Sequence, residues 1–358
     1  MGIFFSSAQA TVKTAEDFGK VPSEIAGLTA TSDEIMYFTK DSFCEIRTID
    51  DSLATRILSM APSCVCASSI GTFIIGFKSG YISEFDTDLN LLTTFTIPGG
   101  FRAHNGEILQ LVSSLNCYLL SIGSDKTLNF WNFKGLHLSA LTSTGSFTAL
   151  CCSHDYAWLS DLNQRMHIID LHTRERIRSF NLPGIVVSMS SFGDGRGCIA
   201  SLKDGSLNIY STFGVLAHLP FLNHPPVISI CPLRIDPQNG LISYAAVDSK
   251  GNLSLRVLEY IVKDLGQGAP FFAVNDKEVV AVINGQLLRL SKDKLETESM
   301  KSLPEMELPR EKIKKFLLNE IEEEEEDEDE MIEEEDLPSF LKGIEKQENF
   351  NEEEEYNA

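Results

Sequence analysis

The sequence predicts an all-β fold of repeated four-stranded sheets, and three observations carry that prediction. Short β-rich runs alternate with turn residues, and helical periodicity is almost absent before residue 309. The runs come in pairs around tight turns: residues 72–77 and 81–85 flank Lys78-Ser79-Gly80, and residues 198–201 and 206–210 flank Lys203-Asp204-Gly205. Glycine supplies the positive φ that such hairpins demand. The hairpins also recur. Each ends in a bulky residue followed by Asp, Asn or Ser, at Ile49-Asp50, Phe85-Asp86, Trp131-Asn132, Ile169-Asp170, Tyr210-Ser211 and Leu290-Ser291. Intervals between the second residues are 36, 46, 38, 41 and 80, the last being two periods with a degenerate unit at 253–257. A period near 40 built from short strands is that of propeller blades. Six visible units and one blurred unit predict a seven-bladed β-propeller over residues 1–300.

A propeller closes when a strand from one end of the chain completes the blade at the other. Residues 3–12 are expected to pair with the hairpin at 279–290, removing sheet edges that invite aggregation. The same terminus, Met1-Gly2-Ile3-Phe4-Phe5-Ser6, fits the loose acylation pattern of Gly2 with Ser6. A single acyl chain anchors marginally, and no polybasic second signal accompanies it. The strand is therefore the expectation, and a peripheral membrane-coat role the remote alternative. No apolar run approaches the roughly 20 residues of a membrane-spanning helix, and no basic-then-apolar leader is visible at the N-terminus.

One unit carries a longer signature: Ala103-His104-Asn105-Gly106, then residues 121–132, Ser-Ile-Gly-Ser-Asp-Lys-Thr-Leu-Asn-Phe-Trp-Asn. It resembles the WD40-repeat family. The resemblance implies that His104, Ser121, Asp125 and Trp131 form a hydrogen-bonded structural tetrad. That role has a physical logic of its own, because a buried carboxylate needs donors, and imidazole, hydroxyl and indole can relay to one another. WN stands where the family has WD, and AH where it has GH. A second unit keeps Asp204 and Tyr210 at the same six-residue interval, but Ala200 replaces the hydroxyl.

Composition changes after Lys292. Residues 301–321 read as a linker with a short helix after Pro309, carrying Ile313, Phe316, Leu317 and Ile321 on one stripe. Residues 322–358 read as an acidic, mostly disordered tail. From 320 to 358 the sequence has 20 acidic and 2 basic residues, a net of −18 out of −22 for the chain, so the remainder is nearly neutral. Within the acid, Leu337, Phe340, Leu341 and Ile344 fall at i, i+3, i+4 and i+7, behind a candidate N-cap at Asp336. This island suits folding onto a partner's groove, or it stays unpacked. The acid block serves either as a solubiliser or as an arm for basic proteins. The overall charge disfavours direct nucleic-acid binding, which needs clustered Lys and Arg.

No sequence motif for nucleotide binding, nucleophilic catalysis or zinc hydrolysis is present, so neither an enzyme nor a cofactor is expected. His167 and His172 lie five apart without a third ligand, and no metal is expected there. Eight scattered cysteines read as reduced core thiols, with the adjacent Cys151 and Cys152 on opposite strand faces. The expected function is a non-catalytic scaffold for proteins, monomeric within a larger assembly. Residues 115–134, with Asp170 to Arg174 and Phe180, also resemble a propeller subunit of the U3-snoRNA-associated small-subunit processome. That likeness implies a nuclear or nucleolar pre-ribosomal particle, touching nucleic acid only through the assembly. The alternatives are a cytoplasmic location, and an adaptor or chaperone for a basic protein such as a ribosomal protein or histone.

Overall fold

The tight turn is the unit from which the chain is built. Ser42, Gly80, Lys126, Gln164, Gly205 and Gly251 all have positive φ, between 59° and 96°. Each sits in the connection between the second and third strands of a sheet. A connection that follows the right-handed twist of its strands needs such a residue. The computed structural model describes residues 15–318, apart from 23–24, 49–51, 101, 115–117, 193–194, 221–224, 237, 239, 259, 275–277 and 296–309. Contacts along the chain separate residues 1–320 from residues 321–358, and every described residue belongs to the first group.

Among the described residues, five antiparallel sheets have four strands each. The first holds β2 (Ile25–Ala30), β3 (Ile35–Thr39), β4 (Phe43–Arg47) and β5 (Ser52–Ile57). The second holds β6 (Pro62–Ala67), β7 (Phe73–Phe77), β8 (Ile82–Phe85) and β9 (Leu91–Phe95). The third holds β10 (Ile108–Ser114), β11 (Tyr118–Gly123), β12 (Thr127–Trp131) and β13 (His137–Thr142). The fourth holds β14 (Phe147–Cys152), β15 (Tyr156–Asp161), β16 (Arg165–Asp170) and β17 (Glu175–Asn181). The fifth holds β18 (Val186–Phe192), β19 (Gly197–Leu202), β20 (Leu207–Ser211) and β21 (Gly214–Leu219).

The remaining strands share one seven-stranded sheet. They are β1 (Ala15–Lys20), β22 (Val227–Asp236), β23 (Leu241–Asp248), β24 (Asn252–Val257), β25 (Tyr260–Val274), β26 (Glu278–Ile283) and β27 (Gln286–Ser291). Their order is β1-β27-β26-β25-β24-β23-β22. The long β25 pairs with β24 through residues 260–267 and with β26 through residues 268–274. It thus ends one group of four strands and begins the next.

First strands pack in succession: β2 on β6, β6 on β10, β10 on β14, β14 on β18 and β18 on β22. β25 then contacts both β22 and β2 and completes the circuit. A central cavity of about 420 Å³ is lined from all seven of these strands, by residues that include Thr29, Cys66, Gln110, Ser188, Ser229 and Ala273. This is the arrangement of a β-propeller. The core sits between neighbouring sheets. Met36, Phe38 and Ile46 of the first, for example, pack with Phe73, Ile75 and Phe85 of the second. Second strands are buried on both faces, which is why β3, β7 and β11 read as nearly continuous apolar runs. Each fully buried Phe, Ile or Leu contributes roughly 1.5–3 kcal/mol.

Two sequence-based expectations need correction. The strand that closes the last sheet is β1, whose Ala15, Glu16 and Asp17 pair with Leu290, Arg289 and Leu288. Residues 3–12, expected in that place, lie outside the described residues. An outermost strand is recruited through its main chain, so the polar run Ala-Glu-Asp serves where an apolar one was sought. The first repeat is also framed differently. Phe85, Trp131, Ile169 and Tyr210 each sit where the third strand's pairing with the fourth shifts by a bulge. In the first sheet that position is Arg47, two residues before Ile49. The degenerate unit at 253–257 falls within β24, with its bulge at Arg256.

The helix after the linker is α1 (Arg310–Leu317). Its Ile313 and Phe316 are buried, with the Phe316 ring edge-on to Phe192 at 6.1 Å, while Leu317 is half-buried. The helix packs on β21 and β23. Ile321 and the tail residues Leu337, Phe340, Leu341 and Ile344 lie outside the described residues.

Gly80 joins the second sheet to the third. Its carbonyl accepts from the N–H groups of Ala103 and His104 at 3.0 and 3.1 Å. A Cβ here would strike the carbonyl oxygens of His104 and Gly106 while φ is +85°. Gly80→Ala is expected to cost about 2–4 kcal/mol, read as a lower urea midpoint at unchanged slope. A variant as stable as the parent would contradict this packing.

Candidate functional site

The residues singled out in the third sheet come together. His104 lies in the segment before β10 that Gly80 anchors, Ser121 in β11, Asp125 in the turn around Lys126, and Trp131 at the end of β12. His104 Nδ1 is 2.9 Å from Asp125 Oδ1, and Nε2 is 2.7 Å from Ser121 Oγ. Trp131 Nε1 donates to Ser121 Oγ at 2.8 Å. With Nδ1–H donating to the Asp125 carboxylate, Nε2 accepts the hydroxyl proton, and the hydroxyl oxygen accepts from the indole. His104, Ser121 and Trp131 are all buried. Trp131 also meets Phe95 of the second sheet edge-on at 5.7 Å, so the relay braces two sheets.

Sequence reasoning missed the relay's outer members. Thr127 Oγ1 donates to Asp125 Oδ1 at 2.7 Å, and the Asn105 N–H donates to Oδ2 at 2.7 Å. The signal was legible, since a hydroxyl two residues after a turn Asp commonly shares its acceptor. Burial raises the Asp125 carboxyl. The His104, Thr127 and Asn105 bonds together with the His104 charge outweigh that and hold it well below the usual carboxylate range.

A second relay was not foreseen. In the fourth sheet the buried His167 places Nε2 3.2 Å from Asp161 Oδ2 and Nδ1 2.8 Å from Ser179 Oγ. Ser143 Oγ donates to the same Asp161 oxygen at 3.0 Å. Burial is the main force lowering the His167 pKa, with the Asp161 bond opposing it. His172, five residues on, is exposed and lies 3.1 Å from Asp155. The two histidines are thus not brought together, and no group of three metal-ligating side chains occurs among the described residues.

These two relays belong to a wider pattern. Three residues after each of Ser42, Gly80, Lys126, Gln164, Gly205 and Gly251 stands a buried polar side chain: Glu45, Ser83, Asn129, His167, Asn208 and Ser254. Glu45 bonds the Tyr37 hydroxyl and Arg47 Nε, Asn129 donates to the Ala103 carbonyl at 2.9 Å, and Asn208 donates to the Tyr210 hydroxyl at 2.7 Å. In the second unit Ala200 is buried, and Asp204 takes its bonds from Ser206. A further buried carboxylate, Glu84, is held by the Tyr118 and Thr72 hydroxyls. These bonds run within a sheet or to its neighbour and present no free nucleophile within the relays.

Among the described residues no disulfide is formed, and the cysteines are thiols. Cys151 and Cys152 pack into different core clusters. Burial pushes the Cys44 and Cys231 thiols up to about 12, so they stay protonated. Surface character is concentrated elsewhere: Ile57, Leu91, Leu92, Phe133 and Leu136, on or beside outermost strands, are more than half exposed.

Sheets braced by closed polar relays, with apolar side chains left outside, make up a β-propeller. The chain is similar to a human (Homo sapiens) protein described as WD repeat-containing protein 36. Identity is 27% over 194 residues, covering 51% of this chain and 21% of that protein. The match thus spans about a fifth of the relative's length. No family model matches the chain.

Asp125→Asn removes the charge from the bonds to His104, Thr127 and Asn105 and is expected to cost about 1–3 kcal/mol at neutral pH. A folded-state pKa below the ordinary 3.8 means the Asp125 contribution is complete above that value and is lost as pH falls through the folded one. The gap in urea midpoint between parent and variant should therefore be smaller at pH 3 than at pH 7, closing only below the folded value. An equal gap at both values would contradict the relay's charge.

Proposed function

We propose that this chain is a seven-bladed, WD40-type propeller that acts as a non-catalytic scaffold, holding proteins within a multiprotein assembly. The observation that carries the reading is the contrast between inside and outside. The described relays satisfy their polar groups internally, while large apolar side chains are exposed on the outermost strands. Exposed apolar residues in such a concentration mark interaction surfaces, and loops on a stiff frame supply further ones. The count of seven is supported by the seven strands that line the central cavity. The finer reading is a nuclear or nucleolar pre-ribosomal particle, supported by the resemblance of residues 115–134, with Asp170 to Arg174 and Phe180, to a processome propeller.

A second reading is favoured by one observation, the net charge of −18 carried by residues 320–358. In this reading the tail takes a basic protein as cargo and the propeller binds the machine, making the chain an adaptor or chaperone. Exposed charges are screened within roughly 10 Å at 0.1 M salt, so tail-driven binding weakens steeply as salt rises, whereas apolar docking hardly changes. Affinity purification of the full chain and of a variant lacking 319–358, washed at low and high salt, separates the two. The scaffold reading predicts that most partners survive both treatments. Loss of every partner with the tail would overturn it in favour of the adaptor.

A further inference from the structure

The outermost strand of the fourth sheet differs from its counterparts. β17 reads Glu-Arg-Ile-Arg-Ser-Phe-Asn, and residues 175–179 are all exposed, whereas β13 alternates and β21 buries half its residues. Its inner side pairs with β16 from Glu175 to Asn181, interrupted by a bulge at Ile177, and it ends the strand order of its sheet. Among the described residues no strand covers its outer main-chain groups. Such an edge is a template for a further strand.

Four arginines gather on and beside it. Arg165 begins β16, Arg174 precedes β17, and Arg176 and Arg178 lie within it. Among the described residues none of the four has a carboxylate at ion-pair distance. Arg176 Nη2 leans towards the Thr142 carbonyl at 3.5 Å, on the third sheet. Arg178 Nη1 donates to the Phe213 carbonyl at 3.1 Å, on the fifth. Lys126 Nζ donates to the Thr144 carbonyl at 3.2 Å and adds a cation on the Arg176 side. Nearby acids are engaged: Asp161 with His167, Asp155 with His172, and Asp170 with the turn amides of His172 and Thr173. Glu175 is the exposed carboxylate of the strand.

We infer that β17 is a docking edge for an acidic, extended segment of a partner protein, which adds to the sheet as a further strand. A strand paired there runs about 4.8 Å from β17, which brings its carboxylates within reach of Arg165, Arg174 and Arg176. Guanidinium and carboxylate match in a bidentate fork. Main-chain bonds give such a contact its affinity, and the side chains give it specificity. Ile177, half exposed, offers an apolar contact between the charges. A nucleic acid would use the arginines but has no complement for the row of main-chain donors and acceptors or for Ile177. The inference rests on the scaffold reading and names one of its surfaces.

Fluorescence anisotropy with the full chain tests it. The probes are a labelled peptide alternating Glu and Val, the same peptide N-methylated at alternate residues, and an oligouridine RNA of similar length. The Arg165→Glu/Arg174→Glu variant suits the purpose, because among the described residues neither guanidinium makes a hydrogen bond that folding would lose. The parent chain is expected to bind the acidic peptide, and the variant at least about tenfold more weakly with an unchanged thermal melt. N-methylation should weaken binding by a similar factor. If the charge reversals unfold the chain, Arg165→Gln/Arg174→Gln gives the same readout.

No peptide binding, or equal binding by parent and variant, would overturn the proposal. Undiminished binding of the N-methylated peptide would exclude strand addition. Tighter binding of the RNA, lost in the same variant, would reassign the surface to nucleic acid. In any of these cases, continued capture of protein partners by the full chain leaves the scaffold reading standing.

Discussion

A ring of sheets holds together only if its last sheet is completed by a strand from the far end of the chain. Here that constraint falls on β1 and β27, which pair antiparallel with Ala15 opposite Leu290 and Lys20 opposite Gln286. Without β1, β27 would present an open row of donors and acceptors at the point where the circuit joins. The long β25 makes the same economy from the other side by serving two groups of four strands. Every other sheet of the described chain is built from consecutive strands, so these are the non-local and shared pairings on which closure depends.

Closure brings neighbouring sheets into register, and two kinds of contact then bind them. Apolar side chains of second and third strands interdigitate between sheets, as in the cluster that joins Met36 and Phe38 to Phe73 and Ile75. Polar relays add direction. His104 is held by Gly80 of the preceding sheet and in turn holds Ser121 and Asp125 of its own. A charged group buried in this way is costly unless all its bonds are made, and around Asp125 they are supplied by His104, Thr127 and Asn105. Stiffness achieved internally leaves the outermost strands and loops free to differ, and there the chain concentrates its exposed leucines and arginines.

Much of this was legible in the sequence, and the failures have physical causes. Turn chemistry revealed the hairpins at Gly80 and Gly205, and the resemblance to the WD40-repeat family implied which side chains between His104 and Trp131 meet in the third sheet. The relay at Asp161 and His167 escaped notice because its turn uses Gln164 at positive φ instead of Gly, and its partners are distant in sequence, Ser143 between β13 and β14 and Ser179 in β17. The buried polar residue three positions after each turn was equally readable, from Glu45 to Ser254, once the turns were aligned by φ. The closing strand was sought among apolar residues, whereas an edge strand is selected by its main chain. Ile49 was chosen over Arg47 for a similar reason: bulkiness was taken as the repeat mark, when the bulge position tolerates a charged residue.

Hydrogen exchange of the β26 and β27 amides, compared between the full chain and a variant lacking residues 1–20, tests ring closure most directly. The account predicts strong protection of both strands in the full chain, and loss of protection confined largely to β27 and its neighbours in the variant. Amides of β27 that exchange at unprotected rates in the full chain, or that remain protected without residues 1–20, would contradict it.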